Sequence, residues 1–172
     1  MSPDLLVLSA SNGENLKLAE RFADAGRARG MAAEVLDLTS LSLPLYNPRT
    51  HAESGLPAEV EGLSRRLEAA PRWVICAPEY NGSLPPVLTS AIAWLSVQGD
   101  GFRTLFNGRP VAIATHSGGP GVEVLAVLRI QLAHLGAHVV GRQLSSSRSN
   151  PAKDSSIDDI IHRLQRMELI QP

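Results

Sequence analysis

The chain has 172 residues, of which 44% are apolar and 19% are charged; this balance is typical of one folded domain and excludes a disordered chain. Its 16 basic side chains nearly match its 17 acidic ones, and no basic stripe runs along any segment, so we expect no nucleic-acid partner. The single cysteine, Cys76, excludes an internal disulfide and a cysteine-based zinc cluster. Because Cys76 lies within an apolar run, we expect it to be a buried, inert thiol.

The N-terminal region carries one short apolar run, Leu5–Leu8, before polar residues begin. A run of this length is too short to cross a bilayer, and it lacks the basic segment that precedes the apolar core of a signal peptide. We therefore expect a cytoplasmic protein without membrane contact.

Five apolar runs of strand length follow one another along the chain. Their apolar residues are nearly continuous and do not alternate with polar ones, which is typical of strands that are covered on both faces. These runs cover residues 5–10, 33–38, 72–77, 110–115 and 137–141.

Between these runs, apolar residues recur at the spacing of a helix. The five predicted stripes are Leu18, Phe22 and Ala25; Val60, Leu63, Leu67 and Ala70; Leu88, Ile92 and Leu95; Leu125, Leu128, Leu132 and Leu135; and Ile157, Ile160, Ile161 and Leu164. The signals that mark helix ends are Gly30 and Gly136 as C-terminal caps, Pro57 and Pro86 in first turns, and a Ser156–Asp159 capping-box pattern that opens the last helix, residues 156–167.

Strands that alternate with helices predict parallel βαβ units with right-handed connections. We expect one α/β domain over residues 1–172, a three-layer sandwich in which a five-stranded parallel sheet carries helices on both faces. The polar stretch 145–151 is interpreted as a loop before the last helix. The pattern does not determine the order of the strands.

In an open parallel sheet, ligands bind beyond the carboxyl ends of the strands, where the strand order reverses. Three loops follow the first, third and fourth predicted strands, and all three are rich in Gly, Ser, Asn or Pro. These loops are residues 9–15, 78–86 and 115–121.

The first loop leads directly into a helix, whose free N–H groups and dipole favour an anion. It contains no GxGxxG and no GxxxxGK[ST] motif, which argues against a dinucleotide-binding fold and a P-loop ATPase. An ordinary N-cap turn is the alternative interpretation, since Ser and Asn are preferred there. The candidates for phosphate contact are Ser9, Ser11, Asn12, Gly13 and Asn15.

The other two loops have equally balanced interpretations. Residues 78–86 carry prolines at both ends and Asn-Gly in the middle, which indicates a rigid turning segment. This segment either presents N–H groups and Tyr80 to a ligand, or is a stiff connection on which the Tyr80 ring packs over the protein. Residues 115–121 contain three glycines. These glycines either let the backbone approach a flat ligand closely, or make the loop a flexible connection.

Residues 77–85 read Ala-Pro-Glu-Tyr-Asn-Gly-Ser-Leu-Pro. Together with residues 87–88 and 91–96 they resemble the signature of the NADPH-dependent FMN reductase family, which has a flavodoxin-like fold and includes quinone, azo-dye and chromate reductases. Weaker matches at residues 15–19, 128–129 and 135–137 extend the resemblance over residues 5–141.

The resemblance implies three groups of flavin contacts. The phosphate of FMN is expected at Ser9, Ser11, Asn15 and the backbone of Leu16; the isoalloxazine ring and ribityl chain at Pro78, Glu79, Tyr80, Asn81 and Gly82; and the pyrimidine end of the ring at Ser117, Gly118 and Gly119. Fixed N–H donors near N1 suit the negative charge of reduced flavin. In this family an arginine often serves the phosphate from the first loop, whereas this first loop has none and carries Glu14, which repels a phosphate unless it points away.

The leading hypothesis is an oxidoreductase that passes hydride from NADPH or NADH through FMN to a small acceptor. No side chain is required as acid or base, because the cofactor carries the chemistry, and no metal site is expected from the scattered histidines. One alternative is an FMN-binding electron carrier without a substrate site. The near-neutral charge of this chain disfavours it, because such carriers usually dock through an acidic face. The other is a binding or regulatory protein that has lost the cofactor.

The resemblance also implies a homodimer or homotetramer. Trp94 lies on a helix face beside Val87 and Ala91, where it is either core or part of the dimer surface. We expect the mixed segment Thr39–Leu56 to shape the acceptor pocket.

Overall fold

A computed structural model describes residues 2–170 of the chain. The strands are β1 (Leu5–Ser9), β2 (Ala33–Asp37), β3 (Trp73–Cys76), β4 (Pro110–His116), β5 (His138–Val139) and β6 (Leu144–Ser146). The α-helices are α1 (Glu14–Ala28), α2 (Pro48–Ser54), α3 (Ala58–Ala69), α4 (Pro86–Ser96), α5 (Val122–His134) and α6 (Asp154–Gln165), and two 3₁₀ turns span Leu38–Ser40 and Asp100–Leu105.

The strands form one parallel sheet in the order β2-β1-β3-β4-β5. This is the order of the flavodoxin-like fold, so the predicted fold class is confirmed. The chain moves outward from β1 to β2 and then returns to the other side of β1 for β3. The strand order therefore reverses between β1 and β3, and a ligand crevice is expected at their carboxyl ends.

The fifth position of the sheet is shared by two short strands. β5 pairs with the start of β4 (Val111 with Val139), and β6 pairs with its end (Ala114 with Leu144), so two extra residues are looped out between them. The interpretation of residues 145–151 as loop throughout is therefore wrong at its start, because Ser145 and Ser146 pair with Thr115 and His116.

Both faces of the sheet are buried. Leu5 and Val7 of β1 pack with α1 and α6 on one face, while Leu6 and Leu8 pack with α3, α4 and α5 on the other. This alternation explains why residues 5–8 of β1 are apolar without a break. Cys76 is fully buried in the first of these cores, and burial raises the pKa of its thiol, as expected for an inert cysteine.

One helix was not predicted, and the start of another differs from the prediction. Helix α2 was not predicted, although Asn47 caps it by accepting a hydrogen bond from the Arg49 N–H at 2.8 Å and Pro48 occupies its first position. Helix α6 begins at Asp154, two residues before Ser156. The capping-box prediction is therefore wrong, and the Ser156 hydroxyl instead accepts a hydrogen bond from Arg142.

Trp94 is buried completely, so the interpretation of this side chain as a dimer surface is wrong. Its indole N–H donates to the carbonyl of Pro44 at 2.7 Å, and its ring meets the Tyr46 ring edge-on with centroids 5.0 Å apart. Ser90 of α4 also accepts a hydrogen bond from the Tyr46 N–H. The segment before α2 thus lies across α4 and covers the indole.

Within residues 2–170, no helix combines the length and the apolar character that crossing a membrane requires.

Candidate functional site

A cleft of about 400 Å³ lies at the carboxyl ends of β1, β3 and β4, next to the point where the strand order reverses. This volume falls within the range of about 300–1,000 Å³ that is usual for small-molecule sites. Its walls come from all three predicted loops and from one residue beyond β6. The lining residues are Ser11, Asn12, Gly13, Glu14, Asn15, Pro78, Glu79, Tyr80, His116, Ser117, Gly118 and Arg148.

The first loop delivers unpaired N–H groups to the cleft. In the described structure, the backbone N–H groups of residues 12–15 have no protein acceptor, as is usual at a helix start. The Leu16 N–H is different, because it donates to the carbonyl of Gly13 at 3.0 Å. The four free donors, together with the helix dipole, make this end of the cleft suited to an anion.

Ser9 shapes the first loop from within. Its buried hydroxyl donates to the Ser11 carbonyl at 2.6 Å and lies 3.4 Å from the Ser11 N–H, so its hydrogen-bonding capacity is used inside the loop. Ser9 therefore supports the turn that exposes the N–H groups of residues 12–15.

Glu14 lines the anion end of the cleft but is matched by a neighbouring cation. The Lys17 ammonium lies 2.6 Å from the Glu14 carboxylate and holds the pKa of Glu14 below its usual value, and His116 and Arg148 lower it further. Because the carboxylate is paired with Lys17, its repulsion of an anion in the cleft is reduced.

Asn15 joins the first loop to the end of β4. Its amide nitrogen donates to the His116 carbonyl at 2.8 Å, and its amide oxygen accepts from the His116 N–H, also at 2.8 Å. Asn15 is only 2% exposed. Its side chain thus acts as a two-point link between α1 and β4 and sets the width of the cleft.

The second loop is a tight hairpin turn. Tyr80 and Ser83 exchange two backbone hydrogen bonds of 3.0 Å, and Asn81 and Gly82 between them have φ values of 52° and 69°. Positive φ at both central positions defines a type I′ turn, for which Asn-Gly is the preferred pair. The turn projects Tyr80, which is half exposed, beside the cleft.

Glu79 connects the second loop to the third. Its N–H donates to the Ser117 hydroxyl at 3.0 Å, and its carboxylate accepts a hydrogen bond from the Val124 N–H in the first turn of α5 at 3.3 Å. The Ser117 hydroxyl in turn lies 2.7 Å from that of buried Thr115. The carboxylate of Glu79 therefore stabilises the start of α5, where the helix dipole favours negative charge.

The structure brings nine of the fourteen predicted cofactor-binding residues to the cleft wall. The five that do not line it are Ser9, Leu16, Asn81, Gly82 and Gly119. Ser9 and Leu16 have their polar groups engaged within the loop, and Asn81 and Gly82 form the tip of the hairpin beyond Tyr80. Their contact with a flavin stays a prediction. Residues 39–56 also do not line the cleft.

Three ionisable side chains in the cleft, those of Glu14, His116 and Arg148, stand outside the predicted set. His116 follows the last apolar residues of β4, and its exposure to the cleft is a consequence of where that strand ends. Arg148 comes from the loop after β6. No local signal around Arg148 pointed to a ligand, because its position depends on the pairing of β6 with β4.

The donor set fits a flavin mononucleotide. Four free N–H groups and an arginine suit a phosphate, and a Cβ at Gly118 would meet no atom within 4 Å, which leaves room for the close approach of a flat ring. Tyr80 adds an aromatic side chain to the same cleft.

The chain is similar in sequence to a described family and to curated reductases. A family model described as NADPH-dependent FMN reductase matches residues 3–151. A quinone reductase of Escherichia coli (strain K12) is 42% identical over 87 residues, which are 50% of this chain and 45% of the relative. An NAD(P)H-dependent FMN reductase of Pseudomonas aeruginosa is 34% identical over 123 residues, which are 69% of this chain and 63% of the relative. The chain thus matches less than two thirds of either relative's length.

Among solved structures, the chain is similar to the flavoenzyme NAD(P)H:(acceptor) oxidoreductase from Paracoccus denitrificans. The TM-score is 0.74 at 22% identity, and the match covers 96% of this chain and 98% of the other. At this identity, the likeness shows the fold.

Proposed function

Since the chain belongs to the NADPH-dependent FMN reductase family, we propose that it is an FMN-dependent oxidoreductase that takes electrons from NADPH or NADH and passes them to a small acceptor. The observation that carries this proposal is the cleft at the carboxyl ends of β1, β3 and β4, which is lined by free N–H donors and by the open backbone of Gly118. Bound FMN supplies the redox chemistry.

In this proposal, the protein's own residues bind and orient the flavin. Residues 12–15 receive the phosphate through their N–H groups, Tyr80 covers the ring, and Ser117 and Gly118 border its pyrimidine end. The link between Asn15 and His116 holds these two ends at a constant separation. We propose a quinone-type acceptor, since the quinone reductase above shares half of the chain at 42% identity. A carrier or a cofactor-free binding protein is not favoured, because the matched family and relatives are named as reductases.

An absorption spectrum under anaerobic conditions tests the proposal. We expect the purified protein with FMN to show the shifted visible bands of bound flavin, and these bands to bleach when NADPH or NADH is added and to return with a quinone. FMN with nicotinamide but no protein is the control for reduction in solution. Bands that form and do not bleach would favour the carrier, and failure to bind FMN would overturn the proposal.

We further propose that two copies of the chain associate through a groove between the second loop and α5. The groove has a volume of about 520 Å³ and is lined by Leu84, Val127 and Ile130, and Ile130 is 69% exposed. An exposed apolar groove of this kind suits an interface with a second copy.

The groove also lies next to the cleft. Ser83 lines the groove while Tyr80, its partner in the hairpin turn, lines the cleft. A second copy seated in the groove therefore adds a wall close to the flavin ring. We also propose the cytoplasm as the location, since the nicotinamide donor is an intracellular metabolite.

Replacing Ile130 by glutamate is expected to convert the dimer to a monomer without unfolding it, because the charge would be buried in the interface but is solvated on the isolated chain. Light scattering after gel filtration measures the mass. Leu56→Glu is the matched control, since Leu56 is also an exposed apolar residue but lies outside the groove. A monomeric wild-type chain, or an Ile130→Glu variant that stays dimeric, would contradict the proposed interface.

A further inference from the structure

We propose that Arg148, from the loop after β6, is the cation that binds the cofactor's phosphate in this protein. The inference rests on the proposed function, because it assigns a residue to the phosphate of the same flavin. It concerns which part of the chain neutralises the phosphate, which is a dianion when fully ionised.

The first reason is that the first loop contains no free cation. Residues 9–15 include no lysine or arginine, and their one charged side chain is that of Glu14. The nearest lysine along the chain, Lys17, is bound to Glu14 at 2.6 Å. The four N–H groups of residues 12–15 supply only partial charge, so a phosphate there needs a positive side chain from elsewhere in the fold.

The second reason is the position of Arg148. It lines the same cleft as Ser11, Asn12 and Glu14, although more than 130 residues separate it from them in the sequence. The pairing of β6 with the end of β4 produces this arrangement, since the Ser117 N–H donates to the Ser146 carbonyl at 3.0 Å. The start of the loop is thereby attached to the floor of the cleft.

The third reason is that the loop is shaped as a compact turn with Arg148 at its tip. The Ser147 N–H donates to the Asn150 carbonyl at 2.9 Å, and the Asn150 N–H donates to the Ser147 hydroxyl at 3.1 Å. Ser147 is buried, whereas Arg148 is exposed. The turn therefore holds the backbone of Arg148 in place while its side chain remains available.

The fourth reason is that Arg148 has no other partner in the described structure. Most of the arginines donate side-chain hydrogen bonds to carboxylates, carbonyls or other groups of the protein. Within residues 2–170, the arginines without such a bond are Arg49, Arg148 and Arg166. Of these three, only Arg148 lines the cleft. A guanidinium can donate two parallel hydrogen bonds to a phosphate, which suits this role better than a lysine.

Titrations with FMN and riboflavin test the inference, because riboflavin is the same flavin without the phosphate. We expect Arg148→Gln to raise the Kd for FMN by about tenfold to a hundredfold, as for the loss of a charged hydrogen bond, and to leave the Kd for riboflavin unchanged. Arg148→Lys keeps the charge but loses the bidentate geometry, and it should lie between wild type and Arg148→Gln. Quenching of flavin fluorescence reports each Kd without any need for activity.

The control variant is Arg166→Gln, which removes another exposed, unpartnered arginine, at the C-terminal end of α6. It should leave both Kd values at the wild-type level. Circular dichroism melts are expected to be the same for all three variants, since the side chains of Arg148 and Arg166 contribute no hydrogen bond to the described fold.

Three results would overturn the inference, and they differ from one another. If wild type binds FMN and Arg148→Gln binds it equally well, the proposed function stands and the role of Arg148 is refuted. If the Kd values for FMN and riboflavin rise together, Arg148 acts on the ring or the loop and not on the phosphate. If wild type binds neither flavin, the proposed function fails and the inference fails with it.

Discussion

Replacing Asn15 by leucine is expected to lower the free energy of unfolding by about 2–4 kcal/mol, because it leaves the N–H and the C=O of His116 without partners. Both groups are only partly buried, so each costs toward the lower part of the usual range of about 1–3 kcal/mol. Both hydrogen bonds of the Asn15 amide measure 2.8 Å, and the side chain is 2% exposed. Leucine matches asparagine in size but can neither donate nor accept. The link between α1 and β4 would then be lost, and FMN affinity should fall as well.

Urea denaturation followed by circular dichroism measures this effect. Asn12→Leu is the matched control, since Asn12 lies in the same loop, is exposed and makes no hydrogen bond in the described structure; its unfolding free energy should change by no more than about 0.5 kcal/mol. Asn15→Asp keeps one acceptor and places a carboxylate against the His116 carbonyl, so it should also destabilise the fold. Equal stability of Asn15→Leu and Asn12→Leu would refute the importance of the link.

Replacing Gly121 by alanine is expected to cost about 2–5 kcal/mol, the sum of a left-handed backbone and an overpacked contact. Gly121 has a φ of 61°, and a Cβ there would lie 2.6 Å from the Thr115 methyl carbon and 3.2 Å from the Ser117 hydroxyl. The substitution would push apart the Thr115–Ser117 pair, whose Ser117 hydroxyl accepts the Glu79 N–H. Weaker FMN binding should therefore accompany the lower stability.

Gly118→Ala provides the control for Gly121→Ala, because a Cβ at Gly118 meets no atom within 4 Å and the backbone there lacks a positive φ. A second variant separates the two causes. Thr115→Ser removes the methyl group that the new Cβ would strike and keeps the hydroxyl. When Thr115→Ser is combined with Gly121→Ala, we expect the stability lost through the close contact to be recovered. The stability lost through the left-handed backbone should remain lost, and a double-mutant cycle of unfolding free energies from urea denaturation measures both. If Gly121→Ala is as stable as Gly118→Ala, the contact described here is wrong.

The sheet and five of the helices follow from patterns that are local in the sequence. Continuous apolar runs mark the strands because both faces are covered, and the stripe of Leu125, Leu128 and Leu132 marks α5 because one face of that helix is buried. The three loops at the carboxyl ends of the strands were predicted for the same reason, since a parallel sheet brings those ends together.

The remaining features depend on contacts between distant parts of the chain. Trp94 is buried because the carbonyl of Pro44 accepts its N–H, and nothing around position 94 shows that a segment 50 residues earlier lies over it. Arg148 reaches the cleft because Ser146, two residues earlier in the chain, pairs with His116. The Leu16 N–H is occupied because the first turn of α1 closes on Gly13, a detail of helix-end geometry that residue types alone do not determine.

The division of the fifth strand position bears on how one edge of the sheet resists fibrous aggregation. A long, regular strand at the edge of a sheet offers a row of free N–H and C=O groups on which another chain can add a strand. Here the edge consists of two segments of two and three residues, and Arg129 donates to the carbonyls of Val140 and Gly141 in the interruption between them. This edge of the sheet, opposite the β2 edge, is thus too short and too irregular to recruit a further strand.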